Sequence, residues 1–268
     1  MRLYVINLDR RPDRLRAMTK QLDAFGLPFL RIRAIDAVSA NTRLLDAHFA
    51  SNGPLGTIPR GDKCCTLSHI QAWRAFLASG ERLGAILEDD VVLDRSAADL
   101  LLRPDWIPSF VDLLKLEHFG PAGQRVLVGE TIKVSADRSI GELHSRHTGA
   151  GAYIISRNAA MILLSALPAW TLPVDHMLFN PNTSPLTDRL RPYQLLPAIA
   201  RQSRSFGGTT DIAASRIVAN KMSFSYVGRE LVRAYYELRL LPEQIARLAS
   251  RRGALVRVEN KHLTARSI

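Results

Sequence analysis

The chain has 268 residues, 47% of them hydrophobic and 23% charged, which supplies one large core or two modest ones and excludes intrinsic disorder. Its 36 Lys and Arg outnumber 25 Asp and Glu, and a net charge of +11 asks for an anionic partner. Aromatic residues make up only 7% and do not interleave with the basic ones, so the charge points away from nucleic acid and toward a diphosphate-bearing substrate or an anionic lipid surface.

In chain order, Leu3-Tyr-Val-Ile-Asn-Leu8 is a short apolar run bounded by charge. It lacks a small-residue cleavage site and reads as a strand rather than a signal peptide. Asp9 reads as the cap of a helix whose apolar residues Leu15, Met18, Leu22 and Phe25 keep a three-to-four spacing and which Gly26 stops. Pro28 to Ile35 predicts a second strand, and this strand–helix–strand opening belongs to α/β folds of the nucleotide-binding type. Asn41 to Lys63 is rich in Gly, Pro, Asn and Asp and reads as a long loop. Within it, Gly56-Thr-Ile-Pro-Arg-Gly61-Asp62-Lys63 nearly matches a phosphate-binding loop. Asp62 separates glycine from lysine, and Cys64 stands where a serine or threonine is needed, so the match is rejected. Cys64 and Cys65 are adjacent, a poor geometry for bridging each other, and fit a cytoplasmic chain.

Thr66 to Ser79 predicts a helix ended by Gly80, and Gly84 to Leu93, GAILEDDVVL, predicts a buried central strand. Helices are expected at Ala97–Leu102 and Ile107–Leu116, and a strand at Val126–Val128 with Ile132–Val134 as its partner. A strand at Ala152–Ser156 should run into a helix from Asn158 to Leu167, before an irregular Pro-rich stretch from Pro168 to Pro197. The region after Val227 reads as basic and helical. No apolar run approaches the roughly 20 residues that a membrane-spanning helix needs.

The chemistry concentrates in Glu88, Asp89 and Asp90. Charges inside a buried strand cost on the order of several kcal/mol unless paired. Either they sit at the strand's carboxyl end, where open α/β sheets bind ligands, or a cation holds them. In an extended strand Glu88 and Asp90 share one face and Asp89 takes the other. Two carboxylates on one side suit a hard divalent cation that bridges phosphates.

Five segments in order, VINLDRRPDR, LSHIQAW, ILEDDVVL, AYIISRNAA and PVDHMLF, resemble glycosyltransferase family 25. That family includes bacterial lipooligosaccharide galactosyltransferases and, more distantly, collagen galactosyltransferases. The resemblance spans about Leu3 to Asp211. It implies an α/β, GT-A-like fold with a mostly parallel central sheet, a UDP-sugar donor (usually UDP-galactose), inversion at the anomeric carbon, and a divalent metal, manganese or in its place magnesium. It also implies that Glu88, Asp89 and Asp90 hold metal and donor diphosphate, with Asp90 the first metal ligand and Glu88 beside it. Asn7 and Arg10, where the first strand ends, and Arg14, one helical turn on, are suited to the nucleotide. Ser68 and His69 match the family's Ser-His pair: Ser68 reads as a helix-start cap or a donor contact, His69 as a partner for a phosphate or an acceptor hydroxyl. Asp175, in a Pro-bounded loop, suits the base that an inverting transfer needs, and His176 suits a metal ligand or a loop-ordering residue. Asp211 is a weaker site residue. The chain departs from the family where Cys64-Cys65 replaces Gly-Cys and where Gly149-Ala150-Gly151 replaces Gly-Thr-His before Ala152-Tyr153.

The expected organisation is a catalytic domain over residues 1–226 and a basic helical C-terminal extension over 227–268. The expected activity is metal-dependent, inverting transfer of a hexose from UDP to a glycan or lipid-linked glycan acceptor of lipooligosaccharide or another cell-surface polysaccharide. A metal-dependent phosphoesterase and a non-catalytic basic protein that holds glycan or lipid are the rival readings. In the extension, Leu231, Tyr235, Leu238, Leu241, Ile245 and Leu248 recur at near-helical spacing among arginines. Such a pair of helices either lies on the anionic cytoplasmic face of the inner membrane or packs its apolar stripe on the catalytic domain.

Overall fold

The computed structural model describes residues 1–50, 53–120, 123–166, 170–203 and 224–260. The chain opens with β1 (Arg2–Asn7), α1 (Pro12–Ala24) and β2 (Phe29–Arg33), as expected. Asp9 does not cap α1, however: Arg11 precedes the helix without a side-chain cap bond and Pro12 starts it. Asp9 instead pairs with Arg31 at 2.7 Å and Arg33 at 2.5 Å. Two cations on the neighbouring strand outcompete the helix end. The expected loop from Asn41 to Lys63 contains α2 (Thr42–His48) and the first turn of α3 (Arg60–Ala78). Gly61 and Asp62, taken as loop residues, lie buried inside α3, which begins directly after Pro59.

GAILEDDVVL does not stay one strand. β3 (Leu83–Glu88) ends at the first carboxylate, Asp89 and Asp90 form a turn, and β4 (Val91–Leu93) leaves for another sheet. After α4 (Ala97–Leu102), the expected helix at Ile107–Leu116 is instead irregular up to Val111 and ends in β5 (Leu113–Lys115). Pro108 interrupts the helical reading, and Leu113 and Leu114 are buried in opposite layers, so an unbroken apolar run signals a strand covered on both faces. β6 (Glu117–His118), β7 (Arg125–Gly129), β8 (Ile132–Lys133) and β9 (Ser139–Glu142) follow. β8 pairs with β9 rather than with β7. Then come β10 (Ala152–Ser156) and α5 (Arg157–Ser165), capped by Ser156, whose hydroxyl accepts from the Ala159 amide. The stretch read as irregular holds α6 (Val174–Phe179), α7 (Thr187–Leu190) and β11 (Tyr193–Leu196), before β12 (Ala200–Gln202).

The main sheet has eight strands in the order β2-β1-β3-β10-β5-β11-β9-β8. It is mixed, not mostly parallel. β1 runs parallel to β2 and β3, and β5 to β11, but β10 is antiparallel to both of its neighbours and β9 to β11 and β8. The chain reaches β10 from β5 through β6 to β9 rather than through a crossover helix, so nothing carries it back to a parallel start. A smaller sheet, β4-β12-β6, lies where the first three strands end.

Alternation in the central strands divides the core into two layers. Tyr4, Ile6, Ile86, Tyr153 and Ile155 pack with Trp73 and Phe76 of α3 on one face. Leu3, Val5, Ala85, Leu87 and Ile154 pack with Met18 and Leu22 of α1 on the other. Fully burying a side chain of this size contributes about 1.5–3 kcal/mol, so these layers hold the three parallel strand ends in fixed relation.

The C-terminal extension is two helices, α8 (Phe224–Arg239) and α9 (Leu241–Ala249), followed by a strand the sequence did not announce, β13 (Gly253–Arg257). β13 pairs antiparallel with β7, and Val258 beyond it is fully buried. No described helix is long and apolar enough to cross a membrane.

Candidate active site at the carboxyl ends of three parallel strands

A cleft opens where β1, β2 and β3 end, lined by Leu8, Arg10 and Arg14 from the first turn, Ile35 and Asp36 beyond β2, and Glu88, Asp89 and Asp90. Thr148, Gly149, Ala150 and Asp175 complete it from the far side. All three carboxylates reach this one cleft. The expected alternation fails because Asp89 and Asp90 belong to a turn, where the two-residue period of a strand no longer applies.

Asn7, buried at the end of β1, stands behind this turn. Its Nδ2 donates to Asp89 Oδ2 at 2.7 Å and to the Arg11 carbonyl at 3.0 Å, and its Oδ1 accepts from Arg31. Arg14 Nη1 lies 3.2 Å from Asp89 Oδ1 and 3.6 Å from Asp90 Oδ2. Burial raises the Asp89 carboxyl even against its bonds to Asn7 and Arg14. Burial, then the charge of Glu88, pushes Asp90 up to about 7, although Arg14 pulls the other way. Asp90 Oδ1 is buried with no hydrogen-bond partner among the described residues. Arg10 is bonded to Asp36 at 2.7 Å and stands half-open at the cleft mouth.

Ser68 and His69 lie in the middle of α3, not at its start, so Ser68 caps nothing. Its hydroxyl donates to the Cys64 carbonyl at 2.7 Å and accepts from the Ile35 amide at 2.9 Å, fastening the end of β2 to α3. His69 is fully buried, with Nδ1 2.8 Å from the Tyr153 hydroxyl and Nε2 3.3 Å from Glu88 Oε1. Trp73 donates to the same hydroxyl at 2.8 Å. The helix thus grips Glu88 from behind.

Asp175 sits in the first turn of α6, and its Oδ2 accepts from the Gly149 amide at 3.3 Å. Burial works to raise its carboxyl, but the His176 charge, the Gly149 N–H and Lys115 together hold it below the usual carboxylate range. His176 is not among the cleft-lining residues; its Nδ1 is 2.8 Å from Asn180 Nδ2, one turn further along the chain. Asp211 lies outside the described residues.

Sequence reasoning missed three groups. Cys65 lines the cleft with its Sγ 3.6 Å from Glu88 Oε1. Lys115 and Glu117 form an ion pair at 2.8 Å, both fully buried. Lys115 also donates to the Gly149 carbonyl and stands 4.4 Å from the Phe179 ring centroid, while Glu117 Oε1 accepts from the Gly151 amide at 3.0 Å. The pair fastens the 148–151 segment to the sheet. That segment must be glycine-rich: a Cβ on Gly149 (φ +88°) would fall 2.5 Å from Glu117 Oε1, and one on Gly151 2.7 Å from Oε2. The available signal was the Lys and Glu two apart in LLKLE, one face of a strand, hidden by the helical reading of that run.

Residues 1–178 match the family described as glycosyltransferase family 25 (LPS biosynthesis protein). The lacto-N-neotetraose biosynthesis glycosyltransferase LgtB of Neisseria meningitidis serogroup A is 30% identical over 221 residues, which is 75% of this chain and 74% of that protein. The lipooligosaccharide biosynthesis protein lic2B of Haemophilus influenzae is 27% identical over 192 residues, 66% of this chain and 69% of its own. Among solved structures, a glycosyltransferase involved in the glycosylation of the major capsid of PBCV-1 aligns with a TM-score of 0.37 at 11% identity, covering 81% of this chain and 98% of that one, a likeness too distant to fix the fold type. The matched residues 1–178 contain the cleft from β1 through Asp175, and the chain belongs to glycosyltransferase family 25.

Proposed function

We propose that this glycosyltransferase moves a hexose, galactose from UDP-galactose, onto a glycan acceptor of lipooligosaccharide or another cell-surface polysaccharide, with inversion, on a GT-A-like scaffold. The observation that carries the reading is the carboxylate turn: three acidic side chains on one cleft, two of them bonded to a single guanidinium, and a buried Asp90 oxygen with no partner among the described residues. Such an excess of hard oxygen donors fits manganese, or magnesium in its place, with Asp90 and Glu88 as ligands. A divalent cation bound there would neutralise the donor diphosphate and help UDP depart.

The chain's own residues supply the rest. Arg10 and Arg14 place positive charge at the mouth, where an anionic donor enters. Asn7 acts through Asp89, holding its carboxylate rather than touching the donor. Ser68 and His69 likewise fix the β2 end and Glu88. Asp175, held ionised across the neutral range, takes the acceptor hydroxyl's proton as the anomeric bond breaks. The acceptor's lipid anchorage would be met by α8 and α9, whose Leu231, Tyr235, Leu238 and Ile245 are 55–66% exposed rather than packed on the catalytic body. Beside arginines, such a face favours an anionic membrane surface.

A donor screen with manganese tests this. UDP-galactose should be hydrolysed slowly without acceptor, and faster than UDP-glucose or UDP-N-acetylhexosamines. Cleavage of simple phosphate esters instead would replace the transferase with a phosphoesterase reading, and metal-independent turnover would remove the cation.

A further inference from the structure

We infer that Cys65, His69 and Glu88 form a second metal site, for a thiophilic divalent ion of the zinc type, in the cleft wall behind the carboxylate turn, adjoining the oxygen site proposed above and sharing Glu88 with it. The three donor atoms, Sγ, an imidazole nitrogen and a carboxylate oxygen, lie within 4.8 Å of one another. Zinc–ligand bonds of about 2.3 Å to sulfur and about 2.0 Å to nitrogen and oxygen, set at tetrahedral angles, put sulfur about 3.5 Å from the oxygen and nitrogen about 3.3 Å from it. The observed separations are 3.6 Å and 3.3 Å. Two of the three separations therefore already match the corners of a tetrahedron, and the third, sulfur to imidazole nitrogen, lies within 4.8 Å.

Three further features belong to such a site. Cys65 and His69 are four apart on α3 and so share one face, while Glu88 comes from the end of a different element, β3. The second nitrogen of His69 is held by Tyr153, itself held by Trp73, the kind of outer partner that orients a ligating imidazole. Cys65 and Glu88 line the cleft, so the fourth corner faces the space a small ligand or water can reach, as in sites that keep an open position. The donors also differ in kind from those of the turn: sulfur and imidazole select zinc-like ions, whereas Asp89 and Asp90 offer only hard oxygens. On binding, the Cys65 thiol gives its proton to solvent and the metal–sulfur bond forms. None of this requires the sugar transfer proposed above.

The test is titration of the reduced full chain with cobalt(II) alone, followed by absorption. About one equivalent should give the intense visible bands of a tetrahedral ion together with a thiolate-to-cobalt charge-transfer band, and zinc should displace both. Cys65→Ser should abolish the charge-transfer band and Cys64→Ser should keep it. Weak octahedral absorption without that band overturns the inference, while leaving the oxygen site of the turn intact; so does a band that survives Cys65→Ser. Peptide-resolved alkylation of the unaltered protein gives an independent reading should the variant not fold. Zinc should slow modification of Cys65 by about tenfold or more, because the bound thiolate is no longer the free nucleophile, and an unchanged rate overturns the site.

Discussion

Lys115 and Glu117, behind the 148–151 segment, and Glu88, Asp89 and Asp90, on the opposite wall, both withdraw charge from water, but only the first cluster is balanced. Lys115 and Glu117 set one cation against one anion in a 2.8 Å ion pair with fixed backbone partners, and although Glu117 Oε2 has no hydrogen-bond partner among the described residues, neither side chain lines the cleft. At the turn, a single cation, Arg14, reaches two of three carboxylates, Asp90 Oδ1 also has no hydrogen-bond partner among the described residues, and all three acids line the cavity. A closed account of charge marks architecture. An open one, turned toward a cavity, marks a place prepared for something that arrives.

The sharpest way to break the comparison is at the balanced pair. Lys115→Met leaves the Glu117 carboxylate buried without its cation, and removing one member of such a pair costs about 3–5 kcal/mol. Urea unfolding measures it. Lys115→Met with Glu117→Leu should recover most of the loss, since neither charge then remains. A single variant as stable as the parent would show that the pair is not the clasp described.

Next in size is Asp175→Asn, which should lower turnover by roughly 100-fold or more with donor affinity nearly unchanged, because a base acts chiefly in the transition state. Loss of UDP binding instead would move Asp175 to the donor site. With its carboxyl held below the usual range, Asp175 stays ionised until the pH falls through that lowered value, so the acid limb of turnover should also lie below where an ordinary carboxylate would put it.

Asp90→Asn tests the unbalanced wall, and its sign depends on pH. The folded state holds a proton on Asp90 up to about 7, against an ordinary value of 3.8, so it binds more protons than the unfolded chain between those values. Stability from this group is therefore full below the unfolded value and is lost as pH rises toward 7. Without metal, Asp90→Asn should be more stable than the parent by on the order of 1 kcal/mol near pH 8, with the difference fading toward pH 4. Manganese should reverse the order, stabilising only the parent, and calorimetry should show the variant unable to bind UDP with manganese. A variant that bound both as the parent does would take Asp90 out of the metal site.

What could be read ahead of the structure follows the range of the interactions involved. The first strand, α1 and the strand ending at Glu88 were legible because local apolar spacing decides them, and the acidic triplet stood out against its apolar flanks. The mixed sheet was not, since the direction of β10 depends on how residues far apart in the chain return to it. Asp9 and Ser68 were misread for the same reason: each has a local role available, and each takes a distant partner, Arg31 for one and the Ile35 amide for the other. Cys65 stands at the cysteine of the family's Gly-Cys, but that match does not show its contact, which depends on Glu88 arriving from another element.

The smallest expected effect concerns the outer helices. Ending the chain near Tyr226 would remove the apolar face of α8 and α9, but also β13, which completes a sheet with β7, and the buried Val258 beyond it. A loss of membrane binding could then follow from damage to the body. Leu231→Ser, Tyr235→Ser and Leu238→Ser together leave β13 in place and keep every charge, since the three side chains are 59–66% exposed. Basic residues near an anionic surface contribute about 1 kcal/mol each and are screened by salt, whereas the apolar face adds a part that salt does not remove. The parent should float with phosphatidylglycerol vesicles at low salt and be released as salt rises. The triple variant should float less and be released at lower salt, with its unfolding curve unchanged. Equal flotation of the two proteins would assign any binding to charge alone, and no flotation of the parent would leave the exposed face without a membrane role.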